Sequence, residues 1–140
     1  MILTSTDIVR VITTSVAEVQ VQASWADQTT STFTPGRTNT KLTSIATSTV
    51  VASPAASTYR QVKTLTLANV DASVSNTVTV QHYDGSNAVE VFKRTLLAGE
   101  VIQYDGNQWI VYNAAGVPVT IANSTPVDIQ VFSTPGVNTW

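Results

Sequence analysis

The stretch "AEVQVQASWAD" (Ala17–Asp27) sets the period of the chain. Val19, Val21, Ala23 and Trp25 fall on one side of an extended backbone, and Gln20, Gln22 and Ser24 fall on the other. A spacing of two suits a half-buried strand and does not suit a helix. The same alternation returns in "QVKTLTLAN" (61–69), where Leu65 and Leu67 oppose Thr64 and Thr66. In "NTVTVQHYDG" (76–85), Val78 and Val80 oppose Thr77 and Thr79. Val117, Val119 and Ile121 share a face in "VPVTIAN", and Val127, Ile129 and Val131 share one in "VDIQVF". In "TDIVRVITTSVAEV" (6–19), Thr6 or Asp7 is placed to cap a short helix, but Ile8, Val9, Val11 and Ile12 favour a strand.

Turn residues separate these runs. Tyr83-Asp84-Gly85 recurs as Tyr104-Asp105-Gly106. Glycine takes positive φ without steric cost and Asp tolerates it, so each copy reads as a strand end followed by a turn. Asp84, Gly85, Asp105 and Gly106 are therefore structural turn residues rather than a repeated site. Gly99 in "LLAGE" and Gly116 in "NAAGV" mark two more turns, and Pro118 and Pro126 suit strand beginnings. From Val78 to Tyr112 the pattern predicts a meander of short antiparallel strands.

Residues 27–58 differ. They are crowded with Thr and Ser, and Phe33, Leu42, Ile45, Val50 and Val51 are their only large apolar residues. With little to bury, the segment reads as a surface loop or as an extended arm that orders against neighbouring subunits. The C-terminal tail "STPGVNTW" (133–140) is similar and ends in Trp140, a ring that is costly to leave in water. Phe33, Pro35, Arg37 and Trp140 are the candidate assembly contacts.

Composition narrows the function. The chain has 140 residues, which fits one domain (1–140), and 43% of them are hydrophobic. Only 11% are charged, about half the usual share. A surface so poor in charge either faces other subunits or reflects the preference of strands for Thr. Net charge is −2, with no basic cluster to suggest nucleic acid. No apolar run is long enough for a membrane span, and no secretory leader is expected at the N-terminus. Cysteine is absent, so disulfides and thiolate metal sites are excluded.

The inventory for chemistry is thin. His82 is the only histidine, and alternation sets it beside Val78 and Val80 as an edge-of-core residue. No Gly-x-Ser-x-Gly elbow and no phosphate-cradling glycine loop is present. Asp84, Glu90, Glu100 and Asp105 offer carboxylate pairs for glycoside cleavage, but all sit in or beside turns and nothing marks two as partners. Asn123-Ser124-Thr125 matches a glycosylation acceptor by chance. No catalytic, cofactor or metal residue is assigned. Trp25, Trp109, Tyr59, Tyr83, Tyr104 and Tyr112 form either a sugar-stacking platform or, in the case of the two tryptophans, core anchors.

Taken in order, "ASWAD" (23–27), "TPGRTNT" (34–40), "SPAASTYRQVKTLTLAN" (53–69), "VTVQHYDG" (78–85) and "TLLAGEVIQYDGNQW" (95–109) resemble small virion or prophage structural proteins of tailed bacteriophages. The resemblance runs over about residues 1–115 and contains no catalytic motif. It implies a virion protein assembled in the bacterial cytoplasm. The first expectation is a capsid decoration (cement) protein, often a trimer, that binds the major capsid protein. A tail, baseplate or adaptor component is the alternative, with tail proteins as partners. A carbohydrate-binding receptor module is the alternative from another class. The expected fold is all-β: an antiparallel β-sandwich or jelly-roll-like domain of roughly eight strands.

Overall fold

Alternation becomes burial. Val19, Val21 and Ala23 lie against the core while Gln20 and Gln22 face outward, and Leu65, Leu67, Val78 and Val80 are completely buried. The computed structural model describes residues 1–119, and within them ten strands form two antiparallel sheets. The strands are β1 (Ile2–Leu3), β2 (Ile8–Thr13), β3 (Val19–Gln28), β4 (Phe33–Leu42), β5 (Thr47–Val51), β6 (Tyr59–Asn69), β7 (Asn76–Tyr83), β8 (Ala88–Leu96), β9 (Val101–Tyr104) and β10 (Trp109–Tyr112). One sheet has the order β10-β9-β6-β3-β4, with β1 also paired to β6; the other has the order β5-β2-β7-β8. The two inner faces pack as a β-sandwich around Leu3, Val9, Val11, Leu65, Leu67, Leu96 and Ile102.

Three expectations need correction. Residues 27–58 are neither one long loop nor an arm detached from the domain: β4 and β5 take up about half of the segment and form one edge of each sheet. Strand β4 pairs with β3 over its whole length, from Val19↔Leu42 to Gln28↔Phe33. Its inward positions are Gly36, Thr38, Thr40 and Leu42, so the apolar alternation that would reveal it is missing. The span from Val78 to Tyr112 is not one meander either. The β7–β8 hairpin belongs to one sheet and the β9–β10 hairpin to the other, and the chain crosses between them at 97–100. Val117 lies exposed in the turn after β10 rather than in a strand, although Pro118 makes an isolated bridge to Tyr112 and Val119 packs on the core. The strand expected at 127–132, Ile121, Pro126, the Asn123 acceptor, the 133–140 tail and Trp140 fall outside the described residues.

The alternation is interrupted where β3 meets β6. The register shifts between Ser24 and Trp25, next to Lys63 of β6, so that Trp25 pairs with Val62 and Asp27 with Arg60. The Trp25 ring lies across its other partner, Gly36, and the Arg60 guanidinium stacks over the ring at 3.7 Å from its centroid. Arg60 also grips Asp27 with two hydrogen bonds, 2.7 and 2.9 Å, and donates to the Ala52 carbonyl. Gly36 is required here for space, because a Cβ would fall inside the Trp25 ring. Gly36→Val should therefore lower stability by about 2 kcal/mol or more, as overpacking does. Chemical denaturation checks this, and a variant as stable as the native chain would show that Trp25 has room to move.

Candidate functional site

Most of the groups that could do chemistry are engaged in holding the fold. Asp84 Oδ1 accepts from the backbone N–H groups of Ser86 and Asn87, at 2.9 and 2.6 Å. Asp105 repeats the arrangement with Asn107 and Gln108, both at 2.9 Å. These amides, Asn87 first in one turn and Gln108 first in the other, hold both carboxyls below their ordinary pKa. Gly85 and Gly106 follow with φ of 95° and 92°. β7 ends at Tyr83 and β9 at Tyr104, so both Tyr-Asp-Gly copies close hairpins. Glu100 is buried, accepts from the Leu97 N–H at 3.0 Å and lies 3.9 Å from Arg94. Glu90 is exposed on β8 and shares no site with these acids. Among the described residues no group of three His, Cys, Asp or Glu is placed to hold a metal ion, and no helix is long and apolar enough to cross a membrane.

His82 and Asp7 form a small polar cluster beside β1. Asp7 Oδ2 accepts from Thr4 N and Thr4 Oγ1, its Oδ1 accepts from Thr6 Oγ1, and His82 Nε2 stands 3.7 Å away. The Thr4 amide is the main reason why the Asp7 carboxyl is held below its usual pKa. Its ionised form is thus favoured by folding, and the stabilisation is complete above the unfolded value near 4 and disappears as pH falls through the lower folded value. Asp7→Ala should cost about 1–2 kcal/mol at neutral pH. Denaturant melts across the pH range should show the gap between variant and native chain closing below about pH 4; a gap that stays constant would contradict this account.

The six aromatic rings considered above do not form one platform. Trp109 stacks on Phe92 at 4.7 Å and leans on Tyr104 at 4.9 Å, at the margin of the core. Tyr83 lies under Arg10, and Trp25 under Arg60. Of the assembly candidates, Phe33, Pro35 and Arg37 alternate along the exposed outer side of edge strand β4.

A different surface emerges from the topology. At one end of the sandwich the chain crosses from sheet to sheet four times, in the loops 14–18, 43–46, 70–75 and 97–100. Strand order sets these loops side by side, because β4, β3, β6 and β9 face β5, β2, β7 and β8 in turn. Each loop exposes large apolar side chains: Ile45 at 65%, Val16 at 69%, Val70 and Val74 at 47% and 46%, and Leu97 at 56%. Single exposed hydrophobes are ordinary, whereas a contiguous row marks an interaction surface. At strand spacing the four loops span about 15 Å. Comparison with protein-family models, curated proteins and solved structures found no match. The character of this surface therefore comes from its own geometry.

Two buried asparagines fix the loops. Asn76 Nδ2 donates to the carbonyls of Ser15 and Ala17, and its Oδ1 accepts from the N–H groups of Thr14 and Ser15. Asn69 Nδ2 donates to the carbonyls of Val74 and Leu96, and its Oδ1 accepts from Asp71 N. Thr13 Oγ1 donates to Ser44 O in loop 43–46. No basic residue lies in the four loops, and Asp71 is occupied with the amides of Ser73 and Val74. The result is an apolar crown, held in shape before any partner arrives. The sequence signal for it is weak: scattered Val, Ile and Leu next to Asn-ended strands. Asn76→Ala should cost about 3 kcal/mol, since it strips partners from several buried backbone groups. Hydrogen exchange should then show amides of loops 14–18 and 70–75 losing protection before the sheets do.

Proposed function

We propose that this chain is a non-enzymatic structural protein that docks into a larger particle through the crown of loops. The observation that carries the proposal is the row Ile45, Val16, Val70, Val74 and Leu97 on four adjacent loops, held by Asn69, Asn76 and Thr13. Rigid apolar side chains lose little entropy on binding, and that favours a stable interface. The resemblance of its phrases to tailed-phage structural proteins supports a virion as that particle, with decoration of the capsid shell as the first reading and a tail, baseplate or adaptor position as the alternative. On the shell, many copies with individually weak contacts would hold firmly through avidity.

The test has two parts. Quantitative mass spectrometry of purified particles gives the copy number relative to the major capsid protein. Comparable numbers support decoration, a few copies per particle favour the tail or baseplate, and absence from the particle sinks the structural reading. The double variant Val16→Lys with Leu97→Lys should lose incorporation by about tenfold or more, because two charges would be buried against an apolar contact. Its melting temperature should stay close to native, because both side chains are exposed. The crown can also serve a homo-oligomer such as a trimer, and sedimentation of the purified protein with and without the two lysines separates subunit contact from particle contact.

A further inference from the structure

The opposite end of the sandwich has different chemistry. Tyr59, the first residue of β6, pairs with Gln28 at the end of β3, and Gln28 pairs in turn with Phe33, the first residue of β4. Directly paired residues share a sheet face, so the three side chains stand in one row. Tyr59 is 61% and Phe33 62% exposed, and the two lie two strand spacings apart, about 10 Å. Open depressions flank Tyr59. One, of about 350 Å³, is lined by Thr4, Ser5, Ser57, Thr58 and Tyr59. The other, of about 280 Å³, is lined by Gln28, Thr29, Thr30, Ser57 and Tyr59.

Ser57 belongs to both depressions and has a φ of 58°, the only positive value at a non-glycine residue among those described. Such strain is concentrated where a side chain has work to do. Asp7 holds Thr4 in place beneath the first depression. Apart from the Tyr ring, the lining presents hydroxyl groups and one carboxamide, and no charged side chain. Arg60, next in sequence to Tyr59, is committed to Asp27 and Trp25. At Tyr59 a peptide has no free edge to which it could add itself as a strand, because β6 is flanked by β3 on one side and β1 on the other; the free edge of the row is β4, two strands away.

Around Tyr59, hydroxyls and a carboxamide that can donate and accept stand beside an exposed aromatic face with no charged side chain in the lining, while Lys63 Nζ lies 6.0 Å from the Phe33 ring centroid at the far end of the row; the Tyr59 side matches a neutral polyhydroxylated ring. We propose that this end of the sandwich binds a neutral saccharide, one sugar stacked on Tyr59 with its hydroxyls toward Ser57 and Thr58, and a second reaching along Gln28 toward Phe33. The inference does not depend on what the crown at the other end contacts.

The test is an NMR titration of the isotope-labelled protein with glucose-, galactose- and N-acetylglucosamine-based trisaccharides, and with sialyllactose as the charged comparison. One neutral trisaccharide should give saturable shifts centred on Gln28, Thr29, Ser57, Thr58 and Tyr59. Tyr59→Ala should weaken binding about tenfold, while Tyr59→Phe, which keeps the ring, should bind within about threefold of native. Both variants should melt as the native chain does, because the ring is exposed. No shift with any neutral sugar, shifts centred elsewhere, a preference for sialyllactose, or native binding by Tyr59→Ala would each overturn the proposal.

Discussion

Much of this molecule depends on the side chain of Asn69. It is 1% exposed, at the end of the longest strand, where β6 leaves its sheet. Outside the strand ladder its backbone and side chain make five hydrogen bonds, to Glu100, Gly99, Val74, Leu96 and Asp71. They tie together the end of β8, the turn into β9 and the loop into β7. A buried amide is stabilising only when its groups are satisfied, and it then permits a single arrangement of what it bonds. Asn76 does the same one strand away for the loop between β2 and β3. Without these two residues the connections between the sheets would be ordinary mobile loops, and the apolar residues they carry would have no fixed geometry.

How much of this was legible in the sequence depends on where the apolar residues sit. Val19, Val21 and Ala23, or Leu65 and Leu67, alternate with polar neighbours, and the all-β sandwich follows from them. Strand β4 was hidden because it is an edge strand with Gly36, Thr38 and Thr40 turned inward, so neither of its faces reads as apolar. The crossing at 97–100 was hidden for another reason. A turn that returns to its own sheet and one that crosses to the other can use the same Gly, and Gly99 with φ of 82° resembles Gly85 and Gly106 locally. Only the burial of both Leu96 and Ile102, approaching the core from opposite sheets, distinguishes them.

The candidate surfaces were less legible still. Val16, Ile45, Val70, Val74 and Leu97 are spread over 82 positions of chain (16 to 97), and nothing local marks them as neighbours. The same is true of Tyr59, Gln28 and Phe33, which strand pairing alone brings into one row. Trp25 and Trp109, which the sequence offers either to a stacking platform or as core anchors, pack at the margin of the core, the first with Arg60 and the second with Phe92.

The strand order also governs how the chain must fold. β2 pairs with β7, placing Ile8 opposite Tyr83, and β6 receives β3 on one side and β9 on the other. No sheet is completed by sequence neighbours alone. A ribosome that has released only residues 1–58 has made β3 and β4 but neither β6, the strand between β3 and β9, nor β7, the partner of β2 in the centre of the second sheet. Closure of such distant pairings is slow, on the order of milliseconds to seconds for all-β domains. During synthesis, β2 and β3 therefore wait with exposed valines for partners that do not yet exist. Gln20 and Gln22, which alternate with the valines of β3, and Arg10, between the valines of β2, keep the waiting strands soluble.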